Sequence, residues 1–496
     1  MTLLMKPVAI IGAGITGLTA AFYLKRKGVP VTVYEAGTRA GGVIQSIRKD
    51  GFLAEAGPNT ILETSSKIAQ LIRDAGLESR RLNSDPKAEA RYVVRYRRPI
   101  AMPSSQLGIF ASELLSAKAK FALLREPFVP PRRDGKEESI AEFVVRRLNR
   151  EFLDQMIDAL VAGIYAGDPH KLSVQHAFPR LAELEARYGS LIKGQMFGAR
   201  ERRRRGEISK DRAPKFSFDE GLQVLPDALA AQLGDSLKLS AAVTRLTQTS
   251  DGWRVTFSEG RVPRVSNSES EIRDSQSSSL RNFEAEHGAV IYCGTAHKLA
   301  ELEIIYDRAA LPRSPEIEAA QQRRPTEIFS EIRYPPVASV VLGFRREDVA
   351  HSCQGYGMLI PKIEGFKILG TIFSSALFPN RAPAGYLTLT SYVGGERYPE
   401  LATLSPEKLV GLVCEDLCVL LGVKGQPVFQ HCVLYPKAIP QYNLGYGRFK
   451  QLMNEIEDKA RGLFFAGHFR DGVSLGDSMV SGVNIAERVG KLLGAA

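Results

Sequence analysis

The sequence predicts an α/β protein organised around a dinucleotide-binding unit that begins at one end of the chain and is completed from the other. Three observations carry that expectation. The opening residues run from an apolar strand, Val8-Ala9-Ile10-Ile11, through Gly12-Ala13-Gly14-Ile15-Thr16-Gly17 into a helical stretch at 18–27, then a second strand, Val31-Thr32-Val33-Tyr34, closed by Glu35. The C-terminal residues hold a second strand-loop-helix, 462–467 followed by a helix from about 478 to 493. Between them, stretches rich in β-branched and aromatic residues at 339–344, 357–360, 367–373 and 386–393 suit a large antiparallel sheet flooring an apolar cavity.

Each residue of the opening unit has a physical task. Gly12 permits the tight strand-to-helix turn, Gly14 lets backbone approach a pyrophosphate, and Gly17 lets the helix pack closely on the strand. The helix N-terminus offers unpaired N–H groups and its positive dipole end to phosphate. Glu35 is placed to accept hydrogen bonds from an adenosine ribose and to repel a 2′-phosphate. This unit by itself leaves NAD and FAD open.

The 496 residues carry a net charge of +11, which allows an anionic partner: nucleic acid, an acidic lipid surface or a carboxylated substrate. Five cysteines without a CxxC pair read as reduced thiols in a cytosolic-type compartment, with neither a disulfide framework nor a metal site. The first strand begins by residue 8, so a leader is not expected, and no apolar stretch approaches eighteen residues. A membrane-spanning helix is therefore not expected, while contact with a membrane surface stays open.

Composition divides the chain. Residues 1–90, 211–305 and 436–496 read as three parts of one discontinuous nucleotide-binding domain; 91–103 reads as a strand of the substrate-binding domain at 306–435; and 104–210 reads as an inserted helical domain. Ser65 to Ala75 has the period of an amphipathic helix, and Pro406 to Leu421 that of a helix with one face on the large sheet. Ser139-Ile140-Ala141-Glu142 is a capping box that opens a helix through Arg147. Leu107, Ile109, Phe110, Leu114, Leu115, Phe121, Leu123 and Leu124 form either an ordinary helical core or a surface that dips into a bilayer or lines a greasy channel. Arg200 and Arg202 to Arg205 form either a solvated run or an anionic-lipid contact; no RNA-binding motif accompanies them, so nucleic acid is not an expected partner. The Ser-, Glu- and Arg-rich stretch 258–286 reads as a hairpin extension.

After Glu35, the pair Gly41-Gly42 and then Ser46 resemble the double-glycine motif of FAD-containing amine oxidases, which favours FAD over NAD; Val43 stands where those relatives usually carry Arg. Further stretches extend the resemblance, over essentially the whole chain, to the oxygen-dependent protoporphyrinogen oxidases. They are Ala56 to Thr60, Arg91-Tyr92, Val161-Ala162-Gly163-Ile164-Tyr165-Ala166-Gly167-Asp168-Pro169, Leu369-Gly370-Thr371-Ile372-Phe373-Ser374-Ser375, and Phe465-Ala466-Gly467 through Gly476. The resemblance implies an α/β fold with a discontinuous Rossmann-like FAD-binding domain, a mixed-sheet substrate domain and an inserted α-helical, membrane-associated domain. It also implies noncovalent FAD, a porphyrinogen that gives up hydride to flavin, and molecular oxygen as the final acceptor yielding hydrogen peroxide. A cytoplasmic protein held peripherally at the membrane, and a possible homodimer, follow from the same source.

Residue by residue, the resemblance implies that Arg91 pairs with a ring propionate, against the alternative of a surface ion pair, so that Arg91→Ala weakens substrate binding more than FAD binding. Gly163 faces the macrocycle, and Leu359, Ile372 and Tyr392 sandwich it, against plain core packing. Gly12, Gly14, Gly17, Glu35, Gly41, Gly42, Val243 and Val473 contact FAD, the last two through backbone, with Ser46 adding a hydroxyl. The chemistry is assigned to the flavin, with no side chain as acid, base or nucleophile and no metal. His468 stands where relatives can carry Asn, and its role stays open. Coproporphyrinogen III is the alternative substrate; a flavin amine oxidase and a catalytically silent FAD scaffold are more distant alternatives.

Overall fold

Apolar β-branched segments buried on both faces dictate the first layer. In the computed structural model, which describes residues 6–103, 106–205, 213–260, 281–306 and 326–495, Val8–Ile11 lies fully buried at the centre of a five-stranded parallel sheet. Its strand order is Leu237–Lys238, Val31–Tyr34, Val8–Ile11, Ala289–Tyr292, Leu463–Phe465. Continuous apolar runs are what a sheet covered on both faces requires. The N- and C-terminal helices, Ile15–Arg26 and Leu475–Leu492, pack so closely that a Cβ on Gly482 would lie 2.6 Å from the Thr16 carbonyl oxygen, and Thr16 Oγ1 donates to Ser478 O at 3.0 Å. Both chain ends thus build one layer.

A four-stranded sheet flanks this layer, with Gly252–Glu259 pairing antiparallel with Ala241–Thr249 on one side and Arg281–His287 on the other. For the 258–286 expectation, Gly252–Glu259 and Arg281–His287 are the two antiparallel strands; residues 261–280 lie outside the described set.

The second layer is a seven-stranded sheet in the order Phe429–Tyr435, Val337–Arg345, Tyr386–Gly394, Ile368–Ile372, Gly357–Leu359, Arg91–Arg95, Arg98–Ala101. Its pairings are antiparallel except that Gly357–Leu359 runs parallel to Arg91–Arg95, so the sheet is mixed and not purely antiparallel. Alternation along the strands sorts the side chains by face. Ala338, Val340, Leu342, Leu389, Val393 and Met358 pack with Leu409, Val413, Leu417 and Leu420 of the helix Pro406–Leu421. The opposite face is turned toward the helical insert and the first layer.

The stretch between the strands Arg98–Ala101 and Lys215–Phe218 carries helices. Ser139 and Glu142 form the reciprocal capping box that opens Ile140–Arg147, and a π-helical turn, Leu153–Ile157, leads into the helix Asp158–Tyr165. Its core holds Arg147, wholly buried and bonded to the carboxylates of Glu126 and Glu185 and to the carbonyls of Val129 and Gly189. Phe121, Leu124 and Phe128 remain largely exposed. The arginines at 200 and 202–205 continue the helix Leu191–Arg205, and their side chains lie outside the described set. No described helix is long and apolar enough to cross a membrane.

Candidate active site

The first turn of the opening unit is built as the glycine spacing requires. Gly12 takes φ +101°, and its N–H donates to Tyr34 O at 2.8 Å. A Cβ on Gly17 would sit 2.0 Å from the Gly12 carbonyl oxygen, so this position admits no side chain while the helix keeps its seat. Gly14 is different in kind: it precedes the helix in an extended conformation (φ −68°, ψ 174°), and a Cβ there would meet nothing within 4 Å. The helix has no acidic residue in its first turn and no side-chain cap, which leaves its first N–H groups open to an anion.

Glu35 ties the neighbouring loops together. Its two carboxylate oxygens accept from Ala13 N and Gly37 N, each at 2.7 Å. Gly41 N donates to Ala13 O at 2.8 Å, and a Cβ on Gly42 would lie 3.4 Å from Gly14 Cα, so the two glycine motifs face each other. Ala241 N donates to Glu35 O at 2.8 Å, which brings Val243, two residues along, beside the same carboxylate strand. Val473 lies in the loop before the C-terminal helix, whose N-terminus is capped reciprocally by Ser474 and Asp477. That box starts the helix at Leu475, three residues before the start expected from sequence. Gly467, at the head of this loop, approaches Thr16.

Ser46 is bonded within the protein. Its hydroxyl donates to Glu55 Oε2 at 2.6 Å and accepts from Gln223 N at 3.1 Å. It supports an internal network, described below.

On the seven-stranded sheet, register decides which residues share a face. Tyr392 pairs with Gly370, Gly370 with Leu359, and Leu359 with Val93, forming one row across four strands. Thr390, Ile372, Gly357 and Arg91 form the next row, two residues along. Arg91, Leu359, Ile372 and Tyr392 therefore project from the same face, the one not covered by Pro406–Leu421. Gly163, on the helix Asp158–Tyr165, lies over this face: a Cβ there would come within 2.5 Å of Leu359 Cδ2. Arg91 sits toward the sheet margin with its guanidinium 6.0 Å from the Tyr356 ring centre. The Tyr392 hydroxyl accepts from Asn59 Nδ2 at 2.7 Å and donates to Gly57 O at 3.3 Å, and burial raises its pKa above the ordinary phenol value.

The segment Gly57-Pro58-Asn59-Thr60 joins the two halves. A Cβ on Gly57 would lie 2.2 Å from the carbonyl oxygen of Val43, next to the second glycine pair, while Asn59 and Thr60 bond to Tyr392 and Tyr356 at the sheet. The turn that faces Gly14 and the sheet face that carries Tyr392 are thus linked through neighbouring residues of this one strap.

The family model for flavin-containing amine oxidoreductases matches residues 15–490. The chain belongs to that family. It is 33% identical to protoporphyrinogen oxidase 2, chloroplastic/mitochondrial, of Arabidopsis thaliana, over 98% of this chain and 94% of the relative. It is 28% identical to a coproporphyrinogen III oxidase of Bacillus subtilis, over 96% of both. Among solved structures, a candidate protoporphyrinogen oxidase from Exiguobacterium superposes with a TM-score of 0.74 at 20% identity, covering 98% of each chain, a likeness of fold.

Like the family, the chain is an FAD-dependent oxidoreductase with a mixed α/β fold of several sheets. The residues present fit that cofactor. The open space beside Gly14, the uncapped helix start and the facing Gly42 form a cradle that a side chain would fill, and Glu35 lies at the end of the adjacent strand where a ribose is expected. Cys293, the cysteine next to this turn, is buried with its pKa pushed above the ordinary thiol value by burial, and all five cysteines are unpaired. His468 in the C-terminal loop is pushed down to about 4 by burial and approaches Tyr334 Oη at 3.4 Å, which keeps it neutral.

Sequence reasoning missed the polar weld between the two halves. Buried Arg381, from the turn before Tyr386–Gly394, donates to Glu55 Oε1 at 3.0 Å and to Ser217 Oγ at 2.5 Å. Glu55 Oε1 also accepts from Leu222 N at 2.9 Å, and its other oxygen accepts from Ser46. Burial pushes the Glu55 carboxyl up, and the Arg381 charge pulls it back toward the ionised form. The sequence held a signal for half of this, since Glu55 is a carboxylate in an otherwise apolar strand; its partner lies 326 residues away.

Proposed function

We propose that the chain oxidises a porphyrinogen in heme or tetrapyrrole biosynthesis, converting protoporphyrinogen IX to protoporphyrin IX. One observation carries the reading: Arg91, Leu359, Ile372 and Tyr392 share one sheet face, with side-chain-free Gly163 above it. A flat tetrapyrrole suits such a face, with apolar side chains under the ring and a cation at the margin. The near-full-length similarity to protoporphyrinogen oxidases supports the same substrate class. Bound FAD, held noncovalently, supplies the hydride-accepting chemistry, and three two-electron rounds with O2 as terminal acceptor, releasing hydrogen peroxide, account for the six electrons.

The side chains orient and exclude. Leu359 and Ile372 offer apolar contact to the ring, while the Tyr392 ring is fixed at its far end by Asn59 and Gly57, so its face stays presented to the slot. Arg91 offers a planar, charge-assisted contact to a propionate and thereby sets which ring edge leads. Orientation of two large rings is the contribution that hydride transfer asks of a protein.

The exposed Phe121, Leu124 and Phe128, on a helical block with neighbouring basic residues, favour a cytoplasmic protein held peripherally at a membrane surface, with no nucleic acid partner. A homodimer is compatible with this arrangement. The Bacillus subtilis relative favours coproporphyrinogen III as the second reading of the substrate. Purified FAD-loaded protein assayed in air with both porphyrinogens, by porphyrin fluorescence and peroxide release, tests the assignment. The expected result is a higher kcat/KM for protoporphyrinogen IX. A higher value for coproporphyrinogen III selects the second reading, and turnover of neither contradicts both.

A further inference from the structure

The helix Asp158–Tyr165 is held over the sheet by polar pins at its two ends. At the first residue, Asp158 Oδ2 accepts from Arg397 Nη2 at 2.8 Å and from Lys362 N at 2.7 Å, and Arg397 Nη1 donates to Ile360 O at 2.9 Å. At the other end Ala166 closes the helix in a left-handed conformation (φ 48°), and its carbonyl accepts Glu396 N at 2.7 Å. That approach is so close that a Cβ on Gly395 would lie 2.4 Å from the same oxygen. Between the pins, Ala159, Val161, Ala162 and Tyr165 bury one side of the helix, while Leu160 and Ile164 stay 36% and 39% exposed beside exposed Gly163, so burial seats one face and leaves the Gly163 face open.

The wiring is specific. Ile360 directly follows Leu359, Arg397 comes three residues after the strand that carries Tyr392, and Asp158 opens the helix that carries Gly163. One ion pair therefore ties together the segments that bear Gly163, Leu359 and Tyr392. The Arg397 side chain is only 4% exposed, and that of Asp158 15%, so solvent does little to weaken the contact. Upstream, the π-helical turn Leu153–Ile157 supplies a joint, since a π-turn interrupts the regular ladder and is used where a helix must be re-aimed.

We propose that Arg397 and Asp158 form a positioning pair that sets the height of the Asp158–Tyr165 helix above the sheet, and through it which porphyrinogen ring substituents the slot admits. The inference rests on the porphyrinogen reading given above. Both residues act through Gly163 and Leu359. Lysine at 397 keeps a charge beside Asp158 but lacks the planar fork that also reaches Ile360 O, so it is the graded control.

The test compares full-length, FAD-loaded parent with Arg397→Met, Arg397→Lys and Asp158→Asn. It measures kcat and KM for protoporphyrinogen IX and coproporphyrinogen III, the Kd of each product porphyrin by fluorescence quenching, flavin content and melting temperature. Arg397→Met is expected to shift the ratio of the two specificity constants by about tenfold, the scale on which pocket size discriminates substrates, chiefly through KM and with flavin content retained. The porphyrin Kd ratio shifts in the same sense, and Arg397→Lys restores most of the parent ratio. A merely structural role lowers both specificity constants by one common factor and leaves both ratios unmoved, which overturns the inference. Should Arg397→Met fail to fold, Asp158→Asn, which keeps an acceptor for Lys362 N, decides by the same ratios. A parent that turns over neither porphyrinogen overturns the substrate reading and the inference with it, whereas an active parent with unmoved ratios in the variants overturns the inference alone.

Discussion

Replacing Gly14 by alanine separates ligand binding from folding, because the structure gives Gly14 and Gly17 opposite surroundings. A methyl at 14 meets no protein atom within 4 Å, and the backbone there, φ −68° and ψ 174°, is open to any L-residue. Loss of glycine at this position before the helix changes apoprotein stability by less than about 1 kcal/mol. The same methyl occupies the space through which a pyrophosphate approaches the helix start, and forcing a methyl into a filled contact costs about 1–3 kcal/mol, or roughly 5- to 150-fold in Kd. At Gly17 the added carbon lies 2.0 Å from the Gly12 carbonyl oxygen, so Gly17→Ala displaces the helix and damages fold and cofactor site together. The assay titrates FAD into deflavinated protein, following flavin fluorescence, alongside thermal melts of the apoproteins. Gly14→Ala binding FAD as tightly as the parent, or melting as low as Gly17→Ala, would contradict a ligand-facing Gly14.

Three further outcomes follow from the geometry. Tyr392→Phe removes the hydroxyl bonded to Asn59 and Gly57 and lowers stability by about 1–2 kcal/mol in urea denaturation, with flavin content unchanged; no loss means the hydroxyl anchors nothing. Arg381→Met strands the buried Glu55 carboxylate and costs about 3–5 kcal/mol, most of which the double change Glu55→Leu with Arg381→Met recovers; a double variant as unstable as the single contradicts the weld. His287, buried between Tyr34 Oη and Pro7 O, is pushed down to about 4 by burial, so the unfolded chain takes up a proton near pH 6.5 that the folded state refuses. Its contribution is present above pH 6.5 and is lost as pH falls toward 4, amounting to about 2 kcal/mol between pH 7 and 5, and His287→Gln should flatten that slope in denaturation curves at the two pH values.

What the sequence revealed was local. The glycine spacing, the capping box at Ser139 and Glu142, and the helix Pro406–Leu421 depend on neighbours within a few residues, and each stands in the structure where the pattern placed it. The parallel contact between Gly357–Leu359 and Arg91–Arg95 was not legible, because strand alternation fixes which face a residue takes and says nothing of its partner's direction. The early start of the C-terminal helix escaped for another reason: Gly472 and Gly476 read as loop residues, whereas Ser474 and Asp477 cap the helix through them. The bonds from the Ser46 hydroxyl to Glu55 and Gln223 were likewise illegible, since Gln223 lies far along the chain. The Arg381–Glu55 and Arg397–Asp158 pairs join residues hundreds of positions apart, and no local period announces them.

We propose that the glycine-lined cradle and the sheet face bearing Arg91, Leu359, Ile372 and Tyr392 serve one reaction. An anaerobic titration of the FAD-loaded protein with protoporphyrinogen IX, following flavin absorbance, tests it directly. The expected result is bleaching of the flavin with stoichiometric loss of porphyrinogen and recovery of absorbance on admitting air. Flavin that stays oxidised in the presence of excess porphyrinogen would contradict it.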